Sequence, residues 1–320
     1  MRMKILICDS TADEAIEKMR AEPTIEAVDV KTGMSPEEVI QTIPGYDACM
    51  VRSATKIRQN IIDAAKNLKL IVRGGVGLDN IDVAYAEVKG ITVRNTPVAS
   101  CISVAELVFA HALAMSRHVV TATTALKEGR WTKKQCKGVE LFGKTIGIIG
   151  LGCIGKEVAC RAIGFGMKPV AYDPYINDTV VDYKDISIPV LKSVDELFGM
   201  ADFITIHVPL TQETRYIIDR DGIAKMKDCV RIINCGRGGT VNESAVLEGI
   251  ESGKIASAAL DVMEEEPATD NALIKSSDKV IGTPHVGAST TEATFRVGME
   301  VADIMIAFAR QLAGQMEVGA

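Results

Sequence analysis

Residues 143–173 read GKTIGIIGLGCIGKEVACRAIGFGMKPVAYD, from Gly143 to Asp173. Thr145 to Ile149 is an apolar, β-branched run with the signature of a buried parallel strand. It passes directly into Gly150-Leu-Gly152-Cys-Ile-Gly155, and a helical pattern follows, with apolar residues at Val158, Ala162, Ile163 and Phe165. A second short strand, Pro169 to Tyr172, ends at Asp173. Gly150 permits a tight strand-to-helix turn. Gly152 removes the Cβ where a pyrophosphate must approach the backbone, and Gly155 lets the helix pack close to the strand. The helix N-terminus offers unpaired N–H groups and a positive dipole end to phosphate. Asp173 falls 23 residues after Gly150, where a carboxylate accepts hydrogen bonds from both ribose hydroxyls and repels a 2′-phosphate. The triplet of glycines alone is a weak signal, because a glycine-rich structural turn has the same composition. Strand, glycines, helix, strand and acid in this order predict a dinucleotide site that prefers NAD to NADP.

The length of 320 residues accommodates two domains with a large core. An apolar fraction of 47% and a charged fraction of 24% are those of an ordinary globular protein. The net charge of −6 argues against non-specific nucleic-acid binding, which needs a basic face, while leaving room for a local basic pocket. No apolar run approaches the roughly 18 residues of a membrane span, so no membrane partner is expected. The start, MRMKILICDS, runs straight into a strand, so no signal peptide is expected. The eight cysteines form no CxxC and no Cys/His cluster with zinc spacing, so no metal site and a reducing, cytoplasmic setting are expected. Cys153 and Cys235, near the predicted cofactor site, read either as oxidant-sensitive thiols or as small inert side chains.

Up to about residue 97, strands and helices alternate. Strands are predicted at Lys4–Cys8, Ala27–Val30, Ala48–Val51, Leu70–Val72 and Ile91–Val93, with helices at Ala12–Arg20, from Ser35-Pro-Glu-Glu, and at Ile57–Ala65. This is a doubly wound unit without GxGxxG, hence not the predicted cofactor domain. Ligands in such sheets lie beyond the carboxyl ends of strands. That rule selects Arg52-Ser53 and Arg73-Gly74-Gly75-Val76-Gly77. The glycine loop reads equally as an anion-binding run of bare N–H groups and as an ordinary turn. A long helix is predicted from Ser100 or Ser103 to about Leu126, with the Ser103/Glu106 spacing of a capping box and an apolar stripe through Val104, Leu107, Val108, Ala112, Met115 and Val119. Such a helix suits a domain junction or a second subunit. After Asp173 an irregular stretch precedes a helix at Val194–Gly199. Strands are then predicted at Ala201–His207, Cys229–Asn234, Ala256–Leu260 and Lys279–Ile281, with helices at Glu243–Glu251 and from Thr290 to about Leu312.

Four histidines are present. His111 and His118 fall in the long helix, where packing accounts for them, and His207 ends a strand without an evident reaction. His285 closes the last strand in Thr283-Pro-His-Val-Gly-Ala-Ser-Thr290. A nicotinamide-dependent dehydrogenase moves a proton at the substrate hydroxyl as hydride leaves carbon, and histidine suits that task. Glu266 is placed to orient an imidazole. Arg237 offers a planar fork for a carboxylate or reads as a surface ion pair. Spacing alone does not show that the three converge.

These stretches, together with His207-Val-Pro-Leu-Thr211, Asn234-Cys-Gly-Arg-Gly-Gly239 and Asp261-Val-Met-Glu-Glu-Glu-Pro267, resemble the D-isomer-specific 2-hydroxyacid dehydrogenases over nearly the whole chain. The resemblance implies a fold of two doubly wound parallel-sheet α/β domains, a Rossmann NAD domain at 98–286 inserted in a flavodoxin-like substrate domain at 1–97 plus 287–320. It implies catalysis between them by Arg237, Glu266 and His285, and usually a homodimer or homotetramer. NAD contacts are then expected at Gly150, Gly152, Cys153, Ile154, Gly155 and Asp173. Further contacts are expected at His207, Val208 and Pro209, at Cys235, Gly236 and Asp261, and at Val76, Gly287 and Ala288. Val51-Arg-Ser-Ala-Thr-Lys56, Gly75-Val-Gly-Leu-Asp-Asn-Ile-Asp82, Lys127-Glu-Gly-Arg-Trp131 and His285-Val-Gly-Ala-Ser-Thr290 are most similar to the phosphoglycerate-oxidising branch. Arg52, Ser53 and Arg73, with backbone N–H groups of Gly75, Val76 and Gly77, are the implied contacts of a small anionic 2-hydroxy or 2-oxo acid. The Cys153 position often carries arginine in relatives, Pro97-Val-Ala-Ser-Cys101 lacks an asparagine common after Asn-Thr-Pro, and the extra regulatory domain of longer relatives, with its serine feedback, is not expected. Hydroxypyruvate or glyoxylate reduction, and a non-catalytic NAD(H)-binding regulator, are the alternative expectations.

Overall fold

The computed structural model describes residues 2–318, with side chains to residue 314. It divides into two compact units, one running to Ser100 and resuming at Ala288, the other Cys101–Gly287.

The first unit opens with β1 (Met3–Ile7), α1 (Asp13–Arg20), β2 (Ile25–Val30), α2 (Pro36–Thr42), β3 (Ala48–Val51), α3 (Gln59–Ala64), β4 (Leu70–Arg73), α4 (Val83–Val88) and β5 (Thr92–Asn95). The five strands pair in parallel in the order β2-β1-β3-β4-β5, the flavodoxin-like arrangement with its reversal between β1 and β3. β3 is buried at every position, as a central parallel strand covered on both faces must be. α2 starts as its sequence predicts: the Ser35 hydroxyl accepts from Glu38 N–H, the Glu38 carboxylate accepts from Ser35 N–H, and Pro36 takes the first turn. The helix expected from Ile57 begins instead at Gln59, because Ile57 is drawn into a parallel bridge with Ile81.

The second unit begins with α5 (Cys101–Ser116) and α6 (Val119–Lys127), where one long helix was expected. The break lies at His118, whose backbone is left-handed at φ 53°. The Ser116 carbonyl there accepts from Val139 N–H, and the close approach of Gly138 to that carbonyl leaves no room for a continuing turn. Nor does Ser103 cap a helix: it lies inside α5, and its hydroxyl donates to the Gly287 carbonyl.

The unit continues as β6 (Thr145–Ile149), α7 (Cys153–Gly164), β7 (Lys168–Tyr172), β8 (Val180–Tyr183), β9 (Ile186–Pro189), α8 (Val194–Met200), β10 (Phe203–Ile206), α9 (Arg220–Lys225), β11 (Val230–Asn234), α10 (Glu243–Glu251), β12 (Ile255–Leu260), α11 (Ala272–Ser276) and β13 (Val280–Gly282). Its sheet runs β13-β12-β11-β10-β6-β7, all parallel. A single bridge from Val190 to Ala171 continues it past β7, so the third Rossmann strand is reduced to one residue. The stretch after Asp173, expected to be irregular, folds as the antiparallel hairpin β8–β9. Glu157 pins that hairpin to α7. Burial alone would raise the Glu157 pKa, but hydrogen bonds from Lys184, Tyr183 and Arg161 outweigh it and bring it down to about 2. Ile163 and Phe165, expected on the apolar face of α7, are exposed, although Phe165 stacks on Phe109.

The chain then returns to the first unit as α12 (Thr291–Val318), whose Val297, Val301, Ala302, Met305 and Ala309 pack with β1, β3, β4 and α1 in one core.

Candidate active site

The glycine turn has the geometry that a pyrophosphate requires. Gly150 stands at φ 90°, and a Cβ there would fall 2.7 Å from the His207 carbonyl oxygen, at the reversal between β6 and β10. A Cβ at Gly155 would strike the Gly150 carbonyl, so only glycine lets α7 lie this close to β6. Gly152, by contrast, faces open space, which is the surface a phosphate would occupy. It caps α7 without a side-chain hydrogen bond, leaving the first N–H groups, at Cys153, Ile154 and Gly155, for an anion. The Asp173 carboxylate accepts from Leu151 N–H at 2.9 Å and Tyr175 N–H at 3.0 Å. It is thereby fixed beside the turn with lone pairs remaining for a diol. These residues fit NAD. Bound there, NAD supplies a two-electron acceptor at its nicotinamide.

His207 follows β10, and its imidazole is deeply desolvated. Burial alone lowers its pKa to about 3, so it is neutral at physiological pH. Nε2 lies 2.9 Å from Thr205 Oγ1, and Nδ1 has no partner among the described residues. Val208 is half-buried and Pro209 exposed. Cys235 is buried, and desolvation pushes its thiol well above the ordinary range, which leaves it the inert side chain of the two readings. Gly236 packs against β10: a Cβ there would lie 2.7 Å from the Ile206 carbonyl oxygen.

Three buried polar residues shape the loops that carry the candidate catalytic side chains. Asn234, fully buried at the end of β11, accepts from Gly236 N–H through Oδ1 and donates to the Arg237 carbonyl and to Thr240 Oγ1. Thr240 donates to the same Arg237 carbonyl at 2.7 Å. Arg237 is thereby held at the rim of the sheet, one guanidinium nitrogen donating to the Gly236 carbonyl. Asp261, at the end of β12, accepts from Thr283 Oγ1, Val286 N–H and Gly287 N–H at 2.6–2.8 Å, so its carboxylate, expected to serve the cofactor, organises the loop after β13. His111 Nε2 lies 3.2 Å from Thr283 Oγ1, and burial lowers the His111 pKa against the pull of Asp261. It thus extends the network into α5 and is more than the packing residue the sequence suggested.

On that loop His285 and Glu266 meet. The His285 Nδ1–H donates to Glu266 Oε2 at 2.8 Å, and Glu266 Oε1 accepts from Met263 N–H at 3.2 Å. Both side chains are partly open, 44% and 36% exposed. The His285 backbone is left-handed, at φ 53°, and is fixed by its N–H to the Asp261 and Thr283 carbonyls. With Nδ1–H committed to the carboxylate, Nε2 is the nitrogen left to take or give a proton.

In the first unit, buried Asp9 at the end of β1 accepts from Arg52 N–H, Thr55 N–H and Thr55 Oγ1, and Asn80 donates to the Arg52 and Thr55 carbonyls. These bonds fix the loop bearing Arg52 and exposed Ser53 at the reversal between β1 and β3. The Arg73 guanidinium lies on Gly75, occupying the space a Cβ would need. Gly75 N–H, expected to be bare, donates to Thr96 Oγ1 at 2.7 Å. Of the three N–H groups expected to face an anion, Val76 and Gly77 are then the two not committed to Thr96. Arg52 also lines a concavity of about 830 Å3 with Arg296, Ser289 and Thr290. Gly287 is buried behind Asp261, whereas Ala288 is half-buried where the first unit resumes. Asp9, Asn80, Thr96, Asn234, Thr240, Thr283 and Arg296 were not singled out from sequence. A polar residue in the position after an apolar strand was the available signal for Asp9, and Thr283 has the same placement.

A Rossmann sheet with this turn, and a carboxylate-held histidine beyond the strand ends of the same sheet, define a nicotinamide-dependent oxidoreductase. Residues 109–287 match the D-isomer specific 2-hydroxyacid dehydrogenase, NAD binding domain. A hydroxypyruvate reductase of Thermotoga maritima is 49% identical over 306 residues, 94% of this chain and 97% of its own. A D-3-phosphoglycerate dehydrogenase of Methanocaldococcus jannaschii is 48% identical over 301 residues, 94% of this chain but 56% of its own, so the chain spans little more than half of that relative. The solved D-lactate dehydrogenase of Aquifex aeolicus, complexed with NAD and lactic acid, superposes with a TM-score of 0.81 at 28% identity, covering 98% of this chain and 97% of that one. The chain belongs to the D-isomer specific 2-hydroxyacid dehydrogenase family. It is an NAD-dependent 2-hydroxyacid dehydrogenase rather than a cofactor-sensing regulator. Among the described residues no helix is long and apolar enough to cross a membrane, and no cluster of His, Cys, Asp and Glu could hold a metal ion.

Proposed function

We propose that the chain interconverts D-3-phosphoglycerate and 3-phosphohydroxypyruvate with NAD, the oxidation that opens serine biosynthesis, in the cytoplasm. In oxidation His285 Nε2 takes the proton of the substrate hydroxyl. Glu266 holds the ring and balances the imidazolium. Arg237 binds the carboxylate and the reacting oxygen. In reduction His285 returns the proton. The second unit serves as the NAD domain. The first supplies Arg52, Ser53 and Arg73, with Val76 and Gly77 N–H, for the anionic groups of the substrate. Exposed Val119, Val120, Leu126 and Trp131 on and after α6 support assembly as a homodimer or homotetramer.

The observation that carries the phosphorylated substrate is the concavity shared by Arg52 and Arg296. Two guanidinium groups beside serine and threonine hydroxyls suit a phosphate monoester, a second anionic group that plain 2-oxo acids lack beyond their carboxylate, although Glu14 and Glu292 line the same concavity. A second reading, reduction of hydroxypyruvate or glyoxylate, is favoured by the Thermotoga maritima relative, which the chain matches almost end to end. NADH oxidation across phosphohydroxypyruvate, hydroxypyruvate and glyoxylate separates them. The first reading requires kcat/KM for phosphohydroxypyruvate at least about 100-fold above the others, with Arg52→Ala removing most of the difference, as loss of about 3 kcal/mol of charge-assisted hydrogen bonding would. Equal kcat/KM for the phosphorylated and plain acids establishes the second.

A further inference from the structure

The glycine-rich loop after β4 carries two peptide planes whose direction is set from the end of β5. The two strands run parallel and in register to their last pair, Arg73 and Asn95, so the chain segments beyond them leave the sheet side by side. Gly74, Gly75 and Gly77 make this loop, and Gly75 stands at φ 142°, a backbone that other residues rarely adopt. Glycine has more conformations open to it than any other residue. What such a loop presents to a ligand must therefore be aimed by its neighbours, or the ordering is left to the binding step.

Both planes are held by their carbonyls. The Gly75 carbonyl accepts from Thr96 N–H at 3.1 Å, and the Val76 carbonyl accepts from Asn95 Nδ2 at 2.5 Å. In a trans peptide the C=O and the N–H that follows it point in opposite directions. The cis peptide bond among the described residues is elsewhere, at Glu266-Pro267. With the Gly75 oxygen drawn to Thr96, the Val76 N–H is aimed away from Thr96. With the Val76 oxygen drawn to Asn95, the Gly77 N–H is aimed away from Asn95. One plane earlier the sense is reversed, and Gly75 N–H donates to Thr96 Oγ1 at 2.7 Å. Thr96, fully buried, thus grips Gly75 by both its N–H and its carbonyl. Gly74 is fixed from the other side, its N–H donating to the Val51 carbonyl at 2.8 Å. Val76 is exposed and Gly77 half-buried, so the loop is open where these two planes lie.

We propose that Thr96 and Asn95 are positioning residues for the substrate carboxylate, aiming Val76 and Gly77 N–H before the acid arrives. They act through the loop backbone. The inference rests on the reading of those two N–H groups as carboxylate contacts, and it holds whichever 2-oxo acid is preferred. Because the loop is ordered in advance, the effect belongs to KM.

The test uses the whole chain with saturating NADH and reads KM and kcat for phosphohydroxypyruvate and for hydroxypyruvate. Thr96→Val and Asn95→Ala should each raise KM about tenfold, the worth of one hydrogen bond, with kcat within about twofold. The factor should be the same for both acids, whereas Arg52→Ala acts on the phosphorylated one. Thr96→Ser keeps the hydroxyl and should hold KM within about twofold of the parent. Asn95 is only half-buried, so Asn95→Ala carries the test if Thr96→Val does not fold. In parallel, the Gly77 amide resonance of the glycine-labelled parent chain should shift on adding oxamate, a carboxylate that cannot be reduced. Unchanged KM in the folded variants, a lower thermal midpoint being their sole effect, would overturn the positioning role. A KM change confined to the phosphorylated acid would overturn it too, by assigning the pair to the phosphate. If Gly77 shifts while KM does not respond, the loop remains the carboxylate site and this inference alone fails. A silent Gly77 would remove the loop from the carboxylate and take the inference with it.

Discussion

His285 holds a left-handed backbone that a side chain with a Cβ adopts only at a cost, and two carbonyls are spent holding it there. Its Nδ1–H is tied to Glu266, so the residue has one nitrogen to offer. His285→Ala should therefore lower kcat by about 10²–10⁴ while NADH affinity, read by fluorescence, is unchanged. Full turnover in that variant would remove the histidine from the mechanism. His207 is the opposite case, an imidazole that burial keeps neutral down to about pH 3. Its folded pKa lies below the unfolded one, so the unfolded chain binds more protons between about pH 6.5 and 3. Stability is therefore lost as pH falls through that window. At pH 5.5, before most carboxylates titrate, the loss should be on the order of 1 kcal/mol from His207, with a further share from His111, whose pKa burial also lowers. His207→Gln should flatten the urea midpoint between pH 7 and 5.5, and an unchanged slope would show that the ring is not held neutral. The sequence could display both histidines but not their surroundings. Histidine at a strand end looks the same whether a carboxylate or a desolvated wall awaits it.

At the level of the element, what was legible was what local periodicity and capping determine. The strands of both sheets, the capping box of α2 and the close packing at Gly150 and Gly155 follow from β-branched runs, a Ser-x-x-Glu spacing and the absence of two Cβ atoms. What was not legible depended on partners distant in sequence. The apolar stripe from Val104 to Val119 has no break in it, yet α5 ends at Ser116 because Val139 and Gly138 close on its last turn. The hairpin β8–β9 turns Val180, Asp182, Ser187 and Pro189 outward and packs Val181, Ile186 and Ile188 against the core, and Lys184 and Tyr183 tie it to Glu157 on α7. Asp261 reads from sequence as a cofactor ligand, while the folded loop absorbs its carboxylate. The glycine turn offers a paired experiment. A Cβ at Gly152 meets no atom, so Gly152→Ala should cost less than about 1 kcal/mol of stability, mostly as a poorer cap. It should nonetheless weaken NADH by tenfold or more, because the methyl stands where a phosphate must approach. A Cβ at Gly155 meets backbone, so Gly155→Ala should cost about 1–3 kcal/mol and weaken NADH as well. Urea midpoints and NADH titration read the two quantities apart. Intact NADH affinity in the Gly152→Ala chain would move the pyrophosphate elsewhere.

Over the whole molecule, each unit has hydrophobic cores of its own among the described residues. The two cores of the second unit are drawn entirely from between Val104 and Ile281, and those of the first from residues before Ser100 and from α12. The chain path makes them unequal. The second unit is continuous, whereas the first leaves at Ser100 and resumes at Ala288. Without α12, β1, β3 and β4 would lose Val297, Val301, Ala302, Met305 and Ala309 from one face. Five buried side chains of this size represent roughly 5–10 kcal/mol, comparable to the whole stability of a domain. A chain stopped after Gly287 should therefore lose the fold of the first unit and all reduction of 2-oxo acids. It should keep the second unit, with a cooperative unfolding transition and NADH affinity within about threefold of the full chain. The retained His285–Glu266 pair would then stand over a bound nucleotide with no substrate to act on. Far-UV circular dichroism with NADH fluorescence titration checks both halves of this expectation. Loss of NADH binding on that truncation would mean that the nucleotide site is not complete within Cys101–Gly287.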